Sequence, residues 1–316
     1  LLSSEVFGKP AFGMIPYKGN LLLTEDYTAP VADIKARLSA NENPWGPSKK
    51  AVAAIAESAG RGNRYMYSSA MKMVDLLASE EGVKGDNILM AAGSTDILEK
   101  TAFALCMKGG NVISADPSYM SLVRTATSIG ATWKNIPLKP DYSHDLAAME
   151  KAIDSETKLV YICNPNNPTG TLTSIDEIKS FCKRVSAKVP VFIDEAYLEL
   201  LEDHKSQTAV SLVQEGYDVI ICRTFSKIHG MAGLRMGYMV AKPERIKMIK
   251  TLVRTEMGIC LTSLEGAMAS VKDLEFQDFT RKSVKEGREY TFDVLKKAGF
   301  NPIPSYTNFI LFPLQM

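Results

Sequence analysis

The sequence RTFSKIHGMAGLRMGY, residues 223–238, decides the fold because it joins two apolar strands through a short loop that contains a lysine. A lysine that follows a strand is usually solvated at the surface. Here Thr224 and Ser226 come shortly before Lys227, and Arg235 follows it by eight residues. A partly desolvated lysine near other cations has a lowered pKa and becomes nucleophilic. This group of side chains therefore predicts a site for a phosphorylated aldehyde.

Around this stretch, apolar strands alternate with amphipathic helices. The alternation predicts an α/β fold, with a three-layer αβα large domain whose mostly parallel sheet is covered by helices on both faces. The predicted strands are NILMAAG (87–93), NVISADP (111–117), TWKNIPL (132–138), KLVYIC (158–163), VPVFIDEAY (189–197), DVIICRTF (218–225), LRMGYMVA (234–241) and YTNFILFPL (306–314). The predicted helices begin near residues 49, 71, 94, 118, 174 and 273. Ligands of such sheets bind beyond the carboxyl ends of the strands, so polar residues there are the candidates for a site.

The composition is that of an ordinary globular protein, with 46% hydrophobic residues and a formal net charge of +1 over 316 residues. A charge near zero gives no reason to expect nucleic acid or an anionic membrane as a partner, and no apolar run is long enough to span a bilayer. The five cysteines lack CxxC spacing and lie mostly in apolar segments, which predicts reduced core residues in the cytoplasm and no metal site. The chain begins with Leu1, so a removed export signal would not be visible in it.

Two further strand ends carry residues that suit a phosphorylated ring compound. Gly93, Ser94 and Thr95 join a strand to a helix N-terminus, where free N–H groups and the helix dipole favour a phosphate. Small residues at such a joint more often only form the turn. The sequence CNPNNPTG, residues 163–170, predicts a rigid loop, and Asn167 within it can donate a hydrogen bond to a phenolate-like oxygen.

The strand FIDEAYLEL, residues 192–200, places a carboxylate after apolar residues. A carboxylate such as Asp194 is costly there unless it meets a cation or hydrogen-bond donors. Taken alone, Asp194 is more often a helix cap or a salt-bridge partner. Tyr197 follows three residues later and can reach the same ligand.

Together these sites suit a ligand with a phosphate, an aldehyde, a ring nitrogen and a phenolic oxygen. Pyridoxal 5′-phosphate has all four groups, and a lysine Schiff base with an aspartate partner is its usual protein setting. In this hypothesis Asp194 keeps the ring nitrogen protonated, and Lys227 moves the substrate Cα proton as a general base.

The chain resembles the class I and II aminotransferases, which are fold-type-I enzymes dependent on pyridoxal 5′-phosphate. The motifs NPNNPTG, DEAY and SKIHGMAGLRMGY carry this resemblance, which extends from about Leu38 to Phe312. LSANENPWGPS and NRYMY are similar to the histidinol-phosphate aminotransferase group. The resemblance implies an aspartate aminotransferase-like fold with a small α+β domain. Residues 1–45 would form an arm and part of the small domain, 46–275 the cofactor-binding domain, and 276–316 the start of an incomplete small domain.

The resemblance also implies the residues that hold the cofactor. Lys227 is the Schiff-base lysine, Asp194 pairs with the pyridine nitrogen, and Asn167 and Tyr197 flank the phenolic oxygen. Tyr119 of ADPSYM stacks on the ring, although by itself it fits an ordinary half-buried turn residue equally well. The residues implied to bind the phosphate are Ser94, Thr95, Thr224, Ser226 and Arg235.

One implied residue belongs to a neighbouring subunit's site. Tyr65 of NRYMY matches a tyrosine that reaches the partner's phosphate, and Tyr67 competes for that role. This implies a homodimer with shared active sites.

The sequence departs from the family pattern in the regions that bind substrate. The family has a PYNVN-like segment where this chain has GICLTS, residues 258–263, so histidinol phosphate is one of several possible substrates. RYMY replaces RYPD. The family continues beyond NFILF to an arginine that binds the substrate carboxylate, whereas this chain ends at Met316, and we expect a clipped chain.

The expected activity is transfer of an amino group from a donor such as glutamate to an oxo acid or a phosphorylated ketone. A decarboxylase of the same fold that acts on threonine phosphate, or an aromatic amino acid aminotransferase, would share the cofactor site. A regulator that senses the cofactor would need a DNA-binding segment, for which the sequence shows no pattern. A structural protein would have little reason to combine Lys227, Asp194 and Arg235.

Overall fold

The computed structural model describes residues 38–253 and 258–313, and the elements below lie within one compact unit, Asn41–Met316. Most of the predicted N-terminal arm lies outside the described residues. The domain boundaries near residues 45 and 275, and the small α+β domain, stay predictions.

The described residues form ten α-helices and seven β-strands. The helices are α1 (Lys49–Ala59), α2 (Tyr67–Glu81), α3 (Ser94–Cys106), α4 (Ser121–Ser128), α5 (Leu146–Lys151), α6 (Ile175–Val185), α7 (Val210–Gln214), α8 (Pro243–Leu252), α9 (Leu261–Val271) and α10 (Leu274–Lys297). The strands are β1 (Ile88–Ala91), β2 (Asn111–Asp116), β3 (Thr132–Pro137), β4 (Thr157–Cys163), β5 (Val191–Asp194), β6 (Val219–Thr224) and β7 (Gly237–Ala241). Seven of the eight predicted strands and all six predicted helices are confirmed.

Local sequence sets the ends of the first two helices. The Ser48 side chain accepts a hydrogen bond from the backbone N–H of Ala51, which satisfies one of the free donors at the start of α1. Gly82 adopts a left-handed conformation at φ 65° and ends α2.

The seven strands form one sheet in the order β1-β7-β6-β5-β4-β2-β3. Strands β3, β2, β4, β5 and β6 are parallel to one another, while β7 pairs antiparallel with both β6 and β1. The predicted mostly parallel sheet is therefore confirmed, with β7 as the reversed strand.

Helices bury both faces of this sheet, which explains why its central strands β4, β5 and β6 are largely apolar and buried. Val160 and Ile162 of β4 belong to a core on one face, packed with residues of α2, α6, α7 and α9. Leu159 and Tyr161 of the same strand belong to a second core, packed with α3, α4 and α8. The αβα architecture is thereby confirmed.

The predicted strand YTNFILFPL is wrong, because residues 306–313 are irregular in the described structure. Side chains bind two of its backbone carbonyls, and the Leu311 carbonyl accepts from the Ile303 backbone N–H at 2.8 Å. Ser305 donates to the carbonyl of Phe309 at 2.6 Å, and Arg288 donates to the carbonyl of Thr307 at 2.9 Å. An apolar run in a sequence does not reveal whether a neighbouring strand is present.

Candidate active site

The register of the sheet brings the predicted site residues to one edge. Asp194 of β5 lies opposite Cys163 of β4 on one side and Cys222 of β6 on the other. Thr224 at the end of β6 lies opposite Gly237, which in turn lies opposite Ala91 at the end of β1. The loops that follow β1, β4 and β5, and the loop that joins β6 to β7, therefore meet at the same edge.

A cationic cradle forms where β1 meets α3. Gly93 has φ 91° at the start of α3, and the Arg235 guanidinium packs against it. Gly237 lies under the same loop, because a β-carbon there would come within 2.7 Å of the Ser94 nitrogen. Thr224 donates to the Ser226 hydroxyl at 3.0 Å and accepts from the Ser226 backbone N–H. A helix N-terminus beside an arginine and hydroxyl groups suits a phosphate.

Asp194 lies at the base of the site and is 2% exposed. One carboxylate oxygen accepts from the Ala196 backbone N–H and the other from the Tyr161 hydroxyl, each at 3.1 Å. Burial raises the pKa of Asp194 to about 6, although these hydrogen bonds and the nearby Lys227 act in the opposite direction. No ion pair of Asp194 occurs among the described residues. Its carboxylate can therefore accept a cationic N–H from a ligand.

Lys227 follows β6 and extends towards the other polar residues of the site. Its Nζ donates to the Asn41 carbonyl at 3.0 Å and lies 5.2 Å from the centre of the Tyr197 ring. Burial lowers the pKa of Lys227 to about 8, and the charge of Arg235 adds to this effect, whereas Glu42 and Asp194 oppose it. A lysine with a pKa near neutrality can act as a nucleophile and as a base.

Tyrosine hydroxyls and asparagine amides also contribute to the site. The Tyr197 hydroxyl accepts from the Asn167 amide at 3.4 Å and from the Asn41 amide at 3.3 Å. Burial raises the pKa of Tyr119, and a hydrogen bond from Thr95 opposes this effect. Tyr119, Tyr197 and Lys227 all interact electrostatically with Asp194. Ten of the eleven predicted site residues thus lie at this edge of the sheet.

Tyr65 is the predicted residue that lies apart. It is 77% exposed, and its described ring neighbour is Tyr67 at 5.9 Å. Both tyrosines line a cavity of about 810 Å³ together with Met71, Ile259 and Cys260. Neither Lys227 nor Asp194 lines this cavity.

Three residues of the site were not predicted from the sequence. Asn41 has φ 52°, and this left-handed conformation turns its carbonyl towards Lys227. Asn308 donates to the same carbonyl at 3.0 Å. Tyr161 binds Asp194. Asn41 lies in the quoted motif LSANENPWGPS, which was the available signal, whereas Tyr161 in KLVYIC is typical of a core strand residue.

A buried ion pair lies directly behind the site. Arg223 Nε donates to Glu195 at 2.9 Å, and the two side chains are 6% and 1% exposed. Arg223 also donates to Thr208 at 3.0 Å and lies 3.7 Å from Glu81. The pair joins the end of β5 to the end of β6, and so it fixes the spacing of the strands that carry Asp194 and Lys227.

The residues present fit pyridoxal 5′-phosphate on two observations. The buried Asp194 carboxylate accepts hydrogen bonds from Tyr161 and Ala196 but forms no ion pair among the described residues, and the Arg235 guanidinium lies against the glycine that begins α3. The described residues contain no cluster of side chains that suits a metal ion. They also contain no helix that is long and apolar enough to cross a membrane.

Comparisons with known proteins agree on one family. Residues 33–315 match the model for Aminotransferase class I and II. A histidinol-phosphate aminotransferase of Moorella thermoacetica is 36% identical over 88% of this chain and 72% of its own length. An aromatic amino acid aminotransferase of Cutibacterium acnes is 34% identical over 87% and 76%. The crystal structure of a Sinorhizobium meliloti histidinol-phosphate aminotransferase with pyridoxal-5′-phosphate superposes with a TM-score of 0.81 at 25% identity, over 88% of this chain and 75% of that one.

Proposed function

We propose a substrate for this chain, which belongs to the class I and II aminotransferase family and is a pyridoxal 5′-phosphate-dependent aminotransferase. The proposed substrate is histidinol phosphate, with glutamate and its oxo acid as the second pair. The observation that carries this proposal is the 36% identity to the Moorella thermoacetica protein, which is named for that substrate.

The residues at the sheet edge would hold the cofactor at three points. Arg235, Ser226 and the backbone N–H groups that begin α3 suit its phosphate, together with Ser94, Thr95 and Thr224. Asp194 suits its ring nitrogen, and Asn167 and Tyr197 suit its phenolic oxygen. Tyr119 lies beside Thr95 and suits a contact with the ring.

The chemistry then divides between the cofactor and the chain. When bound, pyridoxal 5′-phosphate supplies the electron sink that stabilises negative charge at the substrate Cα. Asp194 keeps a negative charge in a buried place, which favours the protonated form of a ring nitrogen beside it. The Lys227 Nζ accepts the proton from the substrate Cα and returns it, because its pKa of about 8 allows both directions near neutral pH.

A spectrophotometric titration tests the substrate. The cofactor-loaded protein is mixed with histidinol phosphate, glutamate, tyrosine or phenylalanine, one at a time. We expect histidinol phosphate and glutamate to convert the bound cofactor to its amine form, and an oxo acid to reverse the conversion. Conversion by tyrosine or phenylalanine but not by histidinol phosphate would replace the proposal with an aromatic amino acid aminotransferase. A spectral change that an oxo acid cannot reverse would indicate a lyase.

We also infer a homodimer whose sites are shared. The support is the exposed, largely apolar surface around Tyr65, Tyr67 and Met71, which are 77%, 64% and 64% exposed. Light scattering gives the mass in solution. Mixing two inactive variants, Lys227→Ala and Tyr65→Ala, under conditions of subunit exchange should restore activity, because one site of each hybrid is intact. No recovery in confirmed hybrid dimers would contradict shared sites.

A cytoplasmic location completes the proposal. All five cysteines are free thiols, and four of them are buried, which is typical of proteins from reducing compartments. Fractionation of cells that produce the full-length protein tests this location. Recovery with a secreted or envelope fraction would contradict it.

A further inference from the structure

We propose that Tyr161 is a positioning residue that orients Asp194 and keeps its carboxylate ionised through the hydrogen bond between them. The proposal rests on the proposed role of Asp194 as the partner of the cofactor's ring nitrogen. Tyr161 itself is buried in β4 beneath the site.

The strand register explains why Tyr161 reaches Asp194. Cys163 lies directly opposite Asp194, and Tyr161 lies two residues earlier on the same face of β4. A side chain as long as tyrosine spans such a diagonal pair. The Tyr161 hydroxyl donates to Oδ2 at 3.1 Å, while the Ala196 backbone N–H donates to Oδ1 at 3.1 Å. One donor on each oxygen fixes the rotation of the carboxylate about its own axis.

The hydroxyl group has no packing role that phenylalanine could not fill. Tyr161 is 0% exposed, and its ring packs 5.9 Å from the Phe192 ring in an apolar core. A hydroxyl in such a core is costly unless it is hydrogen-bonded. The only described carboxylate that it meets is Asp194. The hydroxyl is therefore best explained by what it does to that carboxylate.

Burial and the neighbouring Glu195 both oppose ionisation of Asp194, so a hydrogen-bond donor such as Tyr161 is needed to favour the charged form. The ionisable groups that face Asp194 are Tyr119, Tyr161, Cys163, Glu195, Tyr197, Cys222 and Lys227. Burial raises the pKa values of Cys163 and Cys222 well above their usual range, so both thiols stay neutral. Glu195 opposes ionisation of Asp194 but is paired with Arg223 at 2.9 Å. Tyr161 stays a donor at neutral pH, because burial raises its own pKa as well.

The test is cofactor binding as a function of pH in the full chain with Tyr161→Phe. The dissociation constant for pyridoxal 5′-phosphate is measured by equilibrium dialysis between about pH 5 and pH 8. Loss of a hydrogen bond to a charged group predicts binding that is about tenfold weaker near pH 7. The pH at which binding is half lost should rise by about one unit, since the carboxylate then gains a proton more easily.

Tyr238→Phe is the matched control. Tyr238 is a buried tyrosine in the same sheet whose hydroxyl also donates to a carboxylate, that of Glu81 at 2.5 Å. This substitution should lower the melting temperature without moving the pH profile of binding. If both variants shift the profile equally, the effect is structural and the proposal is wrong.

A double-mutant comparison separates the inference from the proposed role of Asp194. Asp194→Asn should weaken binding, and adding Tyr161→Phe to it should produce no further pH shift. A shift that persists in the Asp194→Asn background overturns the positioning role alone. Unchanged binding in Asp194→Asn overturns the proposed role of Asp194, and the inference with it.

A second replacement covers the case in which Tyr161→Phe does not fold. Placing 4-aminophenylalanine at position 161 keeps a donor where the hydroxyl lies. We expect this replacement to hold the half-binding pH within a few tenths of a unit of the original protein. A folded protein with this amine and a profile raised by a full unit would contradict the proposal.

Discussion

The Arg235 guanidinium lies so close to Gly93 that a β-carbon at Gly93 would stand 2.4 Å from Nη2. Both residues have positive φ values, 91° for Gly93 and 51° for Arg235. Two separate loops therefore adopt unusual conformations so that a cation can approach the N-terminus of α3. This arrangement concentrates positive potential where a phosphate group would bind.

Gly93→Ala should weaken cofactor binding at least about tenfold, because the new methyl group displaces Arg235 and strains the backbone. Fluorescence titration with pyridoxal 5′-phosphate measures the change. Gly233→Ala is the control, since Gly233 lies in the same loop as Arg235 with open space where its β-carbon would be. Equal binding by both variants would mean that the contact between Gly93 and Arg235 does not contribute.

The sheet and most of the site could be predicted from the sequence for physical reasons. Strands covered on both faces must be apolar, so β2, β4, β5 and β6 stand out as apolar runs. Polar residues such as Asp194 and Lys227 are then conspicuous where those runs end. The edge at which they meet follows from the parallel pairing of the strands.

The parts that escaped prediction depend on individual side-chain and backbone contacts that the pattern of residue types does not show. The left-handed conformation of Asn41 places its carbonyl beside Lys227, which is 186 residues away. Tyr161 is an aromatic residue in an apolar strand, so its pattern is the same whether its hydroxyl meets a carboxylate or only a core. The irregular segment after α10 follows from side-chain hydrogen bonds to its backbone, which periodicity does not record.

The ion pair of Glu195 and Arg223 should be essential for stability. Arg223→Met keeps much of the side-chain volume but leaves Glu195 buried without its partner, which costs about 3–5 kcal/mol of unfolding free energy. Urea denaturation of the cofactor-free protein measures this loss. Arg184→Met is the control, because Arg184 pairs with Glu150 at a surface where the side chains are 52% and 37% exposed. In the same urea denaturation, the control should have a free energy of unfolding within about 1 kcal/mol of that of the original protein.

Lys227→Ala should abolish amino transfer, with turnover reduced by about 10²–10⁴-fold or more. The Lys227 Nζ lies at the Asn41 carbonyl and 5.2 Å from the centre of the Tyr197 ring, and no other described lysine is hydrogen-bonded there. No second amine among the described residues is therefore placed to do its work. Lys227→Arg should be equally inactive, because a guanidinium does not lose its proton at neutral pH. Stopped-assay kinetics with the substrate identified by titration give the comparison. Near-native turnover in either variant would contradict the role of Lys227.

The environment of Lys227 predicts an unusual labelling profile in the cofactor-free protein. Its pKa of about 8 means that about half of the Lys227 amine is neutral at pH 8, where an ordinary lysine is almost fully protonated. Acetylation of Lys227 by acetic anhydride, followed by mass spectrometry, should therefore rise through about pH 8 and level off above about pH 9. Exposed lysines serve as internal references, because their labelling continues to rise towards about pH 10.4. A Lys227 profile that coincides with theirs would mean that burial does not lower its pKa.

Asp194→Asn should stabilise the cofactor-free protein at neutral pH while it weakens cofactor binding. Because burial raises the pKa of Asp194 from 3.8 to about 6, the folded protein keeps a proton that the unfolded chain releases. The contribution of this carboxyl group to the free energy of unfolding is therefore most favourable below about pH 4, and it is lost as the pH rises towards 6. The full cost above pH 6 is about 3 kcal/mol, and asparagine avoids it because it carries no charge.

Urea denaturation of Asp194→Asn and the original protein at about pH 4 and pH 7.5 measures this trade-off. The stability difference should be small at the lower pH and should favour asparagine by up to about 3 kcal/mol at the higher pH. Asp154→Asn is a suitable contrast, since a lysine lowers the pKa of that exposed carboxylate and its removal should not stabilise the protein. An Asp194→Asn protein that is less stable at pH 7.5 would show that the carboxylate is stabilised within the fold itself. That outcome would contradict the view that the buried Asp194 carboxylate destabilises the cofactor-free protein and becomes favourable only when a cationic ring nitrogen is bound beside it.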